Sequence, residues 1–314
     1  MKAVRCVKHQ VHVVDVPVPQ GAGVRVRIAS AGICGSDLHM VEAYPLRATL
    51  GHEFAGWLDD GTPVAIEPLD PCWDCSACLN GDYHRCVRGV ASILGVGLDG
   101  GMAEQCLVAP SSIVRLPSGL DVRDACLVEP MAVAVHGIRR GAIRAGHRVA
   151  VVGAGAIGLC AVLSARATGA QVDLAARHDN QRNAGQKLGA GQLQEGAAED
   201  YDVVIDAAGT DQSMRQCVAL ARAGGRIVML GTYWDGLQLP ADELCRREID
   251  LVPAIQYNRA GPARDVDIAA ALIANHPIIG QALITHRFPL EAAADAFATA
   301  RERSNGAIKV VLEP

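Results

Sequence analysis

The chain has 314 residues, a formal net charge of −5, half of its residues hydrophobic and only 4% aromatic. That length suits two domains with sizeable cores. The acidic balance, with no long basic run, excludes a nucleic-acid footprint and a basic membrane-binding surface. At the N-terminus Lys2 and Arg5 stand among polar residues with no apolar stretch behind them, so no export signal is read and a cytoplasmic protein is expected. Residues 149–165 carry no charge, but the run is shorter than the ~20 residues of a membrane helix and contains Gly153, Gly155 and Gly158. It reads as a buried strand, a turn and a helix.

In chain order, residues 1–30 read as short strands broken by a turn around Gln20-Gly21-Ala22-Gly23. Val24, Val26 and Ile28 alternate with Arg25 and Arg27, the period of a half-buried strand. Residues 30–125 are rich in Gly, Pro and Cys and predict loop-heavy structure with short strands at best. From 148 to 230 the pattern changes. Strand-like runs at 149–152, 171–174, 203–206 and 227–230 alternate with Ala-rich helical segments, the signature of right-handed βαβ units in a doubly wound parallel sheet. A further strand is expected at 249–255, helices at 265–274 and 290–301, and a last strand at 308–312. The chain is expected to leave the second domain and finish on the first.

Eleven cysteines in a chain without an export signal point to a reducing compartment and to metal ligation rather than disulfides. Cys72, Cys75, Cys78 and Cys86 follow C-x2-C-x2-C-x7-C, and Asn80-Gly81-Asp82 supplies the turn that brings the fourth back. Four thiolates suit a closed tetrahedral zinc that staples a loop. An iron–sulfur cluster would prefer a last gap of three followed by Pro. A second constellation, Cys34, His52 and Glu53, joined by Glu129, offers thiolate, imidazole and carboxylate. A catalytic zinc takes three such ligands and keeps one open position. By spacing alone these residues read more readily as core or surface positions than as ligands.

Residues 149–158 run from a strand into Gly153-Ala154-Gly155-Ala156-Ile157-Gly158, the dinucleotide fingerprint. Gly153 makes the turn, Gly155 admits a pyrophosphate, Gly158 allows close packing, and the helix start at Ala156 and Ile157 faces the phosphates. At the end of the next strand, where NAD-binding chains place an acid, stand Ala176 and Arg177. An arginine without the acid suits a 2′-phosphate, so NADP is expected before NAD. Ala208 and Gly231, at the ends of the following two strands, complete the expected cofactor set.

Together these pieces resemble the zinc-containing medium-chain dehydrogenase/reductase family, above all its sorbitol (polyol) and threonine dehydrogenase branches. The resemblance spans nearly the whole chain. It rests on Gly32-Ile33-Cys34-Gly35-Ser36-Asp37-Leu38-His39, Gly51-His52-Glu53, the four-cysteine lobe, residues 128–136, the glycine fingerprint and Thr285-His286-Arg287-Phe288-Pro289-Leu290. It implies a Rossmann domain (129–257) beside a β-rich GroES-like catalytic domain (1–128, zinc lobe 70–88), to which residues 258–314 return. It implies two zinc ions per chain, one structural and one catalytic. Cys34 and His52 match catalytic ligands, Glu53 the third ligand of the polyol and threonine branches, and Glu129 a position that binds the metal or holds its water. Ser36 and His39 match the proton relay. The implied activity is hydride transfer between a small alcohol or polyol and NADP or NAD, in a homo-oligomer (dimer or tetramer) with no nucleic-acid or membrane partner.

The chain departs from that pattern in places. Only 17 residues separate Cys34 from His52, residues 57–63 are cut short, and Gln256-Tyr257 stands where polyol enzymes often carry Arg-Tyr. Substrate identity therefore stays open among polyols, amino alcohols, cyclitols and other secondary alcohols. Two other readings were weighed. A zinc-free enone or quinone reductase would lack the Cys34, His52 and four-cysteine set. A zinc-stabilised nucleotide-sensing or structural protein would not need Ser36 and His39.

Overall fold

The computed structural model describes residues 1–194, 196–197 and 200–314. They divide into two compact units, Met1–Glu129 with Asn258–Pro314, and Pro130–Tyr257.

The first unit opens with an antiparallel pair, β1 (Lys2–Val7) and β2 (Gln10–Asp15). Next come β3 (Val24–Gly32), helix α1 (Gly35–Ala43), β4 (Glu53–Trp57) and β5 (Pro63–Ile66). The four-residue helix α2 (Ser76–Leu79), β6 (Gln105–Val108) and β7 (Ile113–Arg115) follow. Residues 30–125 thus carry more sheet than their loop-rich composition predicts. The alternation expected of β3 holds through Arg27. From Ile28 to Gly32 every residue is buried, because segment 122–127 covers the second face and Ser30 Oγ donates to Val122 O at 3.0 Å. The shortened 57–63 stretch is a tight hairpin: Leu58 N–H donates to Thr62 O at 2.9 Å, and Gly61 takes a φ of 84° that favours glycine.

Helix α3 (Val128–Arg140) enters the second unit. There the chain alternates β8 (Arg148–Val152), α4 (Ala156–Ala167), β9 (Gln171–Ala175), α5 (Asp179–Lys187) and β10 (Gly191–Gln192). It continues through β11 (Tyr201–Asp206), α6 (Asp211–Leu220), β12 (Ala221–Met229), α7 (Ala241–Arg246) and β13 (Asp250–Pro253). These six strands form one sheet in the order β10-β9-β8-β11-β12-β13, every pairing parallel. This is the doubly wound order, whose switch point lies between β8 and β11. β12 starts six residues earlier than expected, at Ala221, because its register to β11 slips between Ala221 and Arg226, a stretch that includes Gly224-Gly225. β13 is shorter than expected. It ends at Pro253, which has no N–H to donate, and Gln256 beyond it takes a left-handed φ of 56°.

The chain then returns to the first unit through a small pair, β14 (Arg259–Ala260) and β15 (Ala263–Arg264), and helices α8 (Asp265–Asn275) and α9 (Ile278–Leu283). β16 (Ile284–Pro289), α10 (Ala293–Arg301) and β17 (Lys309–Glu313) end it. β17 pairs antiparallel with β3 and parallel with β16, giving the sheet order β16-β17-β3-β4-β5-β7, with β6 on the other half of β3. Its core gathers Val26, Ile28, Leu50, Phe54, Met102, Phe297 and Leu312. Among the described residues no helix is long and apolar enough to cross a membrane.

Candidate metal and nucleotide sites

Cys34 lies two residues beyond β3 and caps helix α1. Its backbone N–H donates to Asp37 Oδ2 at 2.9 Å, so the first turn of the helix fixes the residue that carries the thiol. His52 and Glu53 sit at the start of β4, next to β3 in the sheet. One ligand atom each from Cys34, His52 and Glu53 lies within 4.8 Å of the others, a set that could hold a metal ion. Glu129, in the first turn of α3, is buried but does not belong to that set.

Two residues behind this set escape sequence reasoning. Asp37 is fully buried, and its Oδ1 lies 3.3 Å from His52 Nδ1. The contact is close enough for an ion pair but not aligned as a hydrogen bond, so both atoms otherwise lack a partner. A carboxylate on the far nitrogen of a metal-ligating histidine fixes its tautomer and ring orientation. The near nitrogen, Nε2, lies 3.4 Å from Ser36 Oγ. Burial opposes charge on His52, yet Asp37 and then Cys34 outweigh it and raise its pKa well above the ordinary value. Asp37 and Cys34 thus give the pocket a negative field. That field, the donor set and the orphaned Asp37–His52 pair all fit a cation at this point.

The second missed residue is Lys309 of β17. Its Nζ lies 2.8 Å from Glu53 Oε1 and 2.5 Å from Oε2, and it donates to Ile33 O at 3.1 Å. Burial works against the ammonium, but Glu53 and Cys34 raise its pKa above the normal lysine value. Gly32 makes room for the pair: a Cβ there would stand 2.3 Å from Glu53 Oε2. The available signal was a single lysine inside the apolar run Ile308 to Leu312. His39, one turn after Ser36 on α1, is exposed.

Cys72, Cys75, Cys78 and Cys86 also bring their sulfurs within 4.8 Å of one another, and none of the eleven cysteines is in a disulfide. Backbone N–H groups point at the thiols: Cys75 to Cys72 Sγ and Cys72 to Cys86 Sγ at 3.3 Å, and Arg88 to Cys86 Sγ at 3.5 Å. Val87 and Cys78 backbone groups pull the Cys75 pKa down to about 6, while burial and the neighbouring thiols push Cys78 up to about 12. Four crowded sulfurs served by backbone donors would suit a zinc ion. Tyr83 ties the lobe to the sheet by donating to buried Glu67 Oε1 at 2.5 Å. Arg264 reaches Glu67 Oε2 at 3.0 Å from the returning segment.

In the second unit the strand ends assemble the nucleotide corner. Gly153 takes a φ of 103°, and a Cβ there would lie 2.9 Å from Ala208 N. A Cβ on Gly158 would lie 1.8 Å from Gly153 O, so only glycine lets α4 start this close to the turn. Gly155 meets nothing within 4 Å, leaving open space before the N-terminus of α4, which begins at Ala156 and Ile157. Ala208 and Gly231 follow the ends of β11 and β12, and buried Asp206 accepts from Ala208 N and Gly209 N at 3.0 Å each. Ala176 and Arg177 follow β9, and Arg177 is exposed.

Known proteins share both halves. Residues 20–118 match the alcohol dehydrogenase GroES-like domain and residues 156–275 the zinc-binding dehydrogenase domain. L-galactonate-5-dehydrogenase of Escherichia coli K12 is 33% identical, over 90% of this chain and 89% of its own. The crystal structure of galactitol-1-phosphate dehydrogenase from Escherichia coli superposes with a TM-score of 0.90 at 28% identity, covering all of both chains. A zinc-binding dehydrogenase from Sinorhizobium meliloti 1021, solved bound to NADP, gives 0.88 at 28% identity over 100% of this chain and 99% of its own. The chain therefore belongs to the zinc-containing medium-chain dehydrogenase/reductase family, beside its polyol dehydrogenases, and is an oxidoreductase of CH–OH groups.

Proposed function

We propose that this chain oxidises a secondary hydroxyl of a small polyol, sugar acid or sugar phosphate, and reduces the product in reverse, with NADP as the preferred cofactor. The observation that carries the reading is the convergence of Cys34, His52 and Glu53 within 4.8 Å, backed by Asp37 and flanked by Ser36. Cys34, His52 and Glu53 hold the catalytic zinc, and Glu129 stands outside this ligand set. Cys72, Cys75, Cys78 and Cys86 hold a second, structural zinc. When bound, the catalytic ion supplies Lewis-acid assistance to loss of the hydroxyl proton.

The rest belongs to side chains. Asp37 keeps the His52 proton on Nδ1 and so leaves Nε2 free as a ligand. Ser36, whose Oγ lies 3.4 Å from that nitrogen, accepts the substrate proton while giving its own hydroxyl proton toward His39. His39, on the exposed side of α1, passes it to solvent. In the second unit Gly153, Gly155 and Gly158 shape the backbone for a pyrophosphate, and Arg177, beside Ala176 where NAD-binding chains place the acid, reads the 2′-phosphate. The sugar-acid and sugar-phosphate part of the range follows the Escherichia coli relatives named above. A cytoplasmic homo-oligomer, dimer or tetramer, completes the reading.

The test is reduced-nicotinamide absorbance with zinc-loaded protein. NADP and NAD are run separately against hexitols, their phosphates, aldonic acids, amino alcohols and cyclitols, with and without a chelator. Chelator-sensitive turnover of one class is expected. Tight cofactor binding with no turnover of any class overturns the reading in favour of a nucleotide-sensing protein.

A further inference from the structure

Beyond the end of β9 the chain turns through Ala176, Arg177 and His178 into α5. Two side chains from outside this turn grip it. Arg182, one helical turn into α5, reaches back so that its Nη1 donates to Ala176 O at 3.0 Å and Arg177 O at 3.1 Å. Its Nη2 pairs with Asp179. Gln212, the second residue of α6, faces the turn from the helix that follows β11, and its Oε1 accepts from Arg177 Nη2 at 3.2 Å. Arg182 therefore fixes the backbone at Arg177, and Gln212 fixes the guanidinium.

The chemistry of the two grips is telling. An exposed arginine ordinarily samples many rotamers, and ordering it opposes binding through lost side-chain entropy. A tether removes part of that cost before any ligand arrives. Gln212 does so with a neutral oxygen. A carboxylate in its place would hold the guanidinium more firmly but would cancel its charge. Among the described residues only one of the five guanidinium donors is used, so the rest of the fork is open to an anion.

We propose that Arg182 and Gln212 are positioning residues for Arg177, holding its guanidinium ready for the 2′-phosphate of the cofactor. The inference rests on the NADP reading given above. It makes a signed prediction for an isosteric change. Gln212→Glu keeps shape and the hydrogen bond but places a negative charge beside the phosphate. NADPH affinity should fall about tenfold or more, the scale of one added charge near a surface phosphate, while NADH binding stays where it was. Gln212→Ala should cost NADPH about three- to tenfold, the factor of one ordinary hydrogen bond. Arg182→Lys keeps the charge but not the fork that spans two carbonyls and a carboxylate. It should weaken NADPH as Arg182→Ala does.

The experiment is equilibrium fluorescence titration of the full chain with NADPH and NADH, for wild type, these variants and Arg177→Ala, with melting curves confirming that each is folded. A fall in NADPH affinity relative to NADH in Gln212→Glu and Arg182→Lys supports the inference. If Arg177→Ala weakens both cofactors equally, the NADP reading fails and the inference with it. If Arg177→Ala is selective but Gln212→Glu and Arg182→Lys bind NADPH like wild type, the NADP reading stands and the positioning role is refuted.

Discussion

Replacing Lys309 by Met removes the ammonium that faces both oxygens of Glu53 and leaves most of the side-chain volume. Lys309 and Glu53 are 3% and 0% exposed, so neither group can turn to water. Removing one partner of such a pair costs about 3–5 kcal/mol, because the other charge stays buried without compensation. The lost donation to Ile33 O adds about 1 kcal/mol. For a unit of this size each kcal/mol lowers the melting temperature by about 2–4 °C, so the pair alone predicts a loss of about 6–20 °C. A cation bound beside Glu53 would replace part of the missing charge. The loss should therefore be largest in chelator-treated protein and smaller after zinc is restored. Scanning calorimetry of both forms against wild type measures it. A chelated variant melting within about 2 °C of wild type, less than 1 kcal/mol on this scale, would refute a charged Glu53 held by Lys309.

Three further outcomes are expected. Asp37→Asn keeps the contact to Cys34 but not the charge behind His52, and should weaken zinc binding by about 10–100-fold in a chelator competition; unchanged affinity would remove Asp37 from the site. Cys75→Ser opens the four-thiol lobe and should yield protein that melts early and binds one zinc fewer by elemental analysis; a wild-type melting curve would show that the lobe does not staple the loop. Glu67 has its pKa pushed up to about 7, chiefly by burial and against the pull of Tyr83 and Arg264. A raised carboxyl pKa favours the folded state at low pH, and the contribution is lost as pH rises from about 4.5 through about 7. The stability of Glu67→Gln relative to wild type should therefore improve by about 3 kcal/mol across that window in denaturant titrations; a flat difference would place the ordinary carboxyl pKa on Glu67.

What the sequence disclosed follows the range of the interactions involved. The four-cysteine lobe is a local spacing, and the glycine fingerprint is a local turn, so both were legible from 72–86 and 153–158. The parallel order of the second unit followed from alternating strands and helices. Helix α1 was not foreseen, because Gly35 and Ser36 are poor helix formers and its stability comes from Met40 and Val41 packing into the core. Lys309 showed only as a lone charge in an apolar strand, since its partner Glu53 is 256 positions away. Asp37 stood inside a motif singled out for its neighbours. Its role emerged only when β4 brought His52 against α1. Gln212 carried no signal at all, because surface amides are common and its meaning depends on the side chain opposite.

The place of β17 has a consequence for how the protein is made. It is the last strand of the chain, yet it lies inside its sheet, between β16 and β3, and delivers Lys309 to Glu53. During synthesis β3 emerges well before β17, and one stretch of its edge stays unpaired until residues 309–313 follow. An open edge beside an uncompensated buried carboxylate is a point where nascent chains can associate with one another. Slow translation of the second unit would lengthen that wait. Removing β17 would leave that stretch of β3 unpaired and Glu53 without Lys309, so a chain lacking it should accumulate as aggregates rather than as protein with reduced activity.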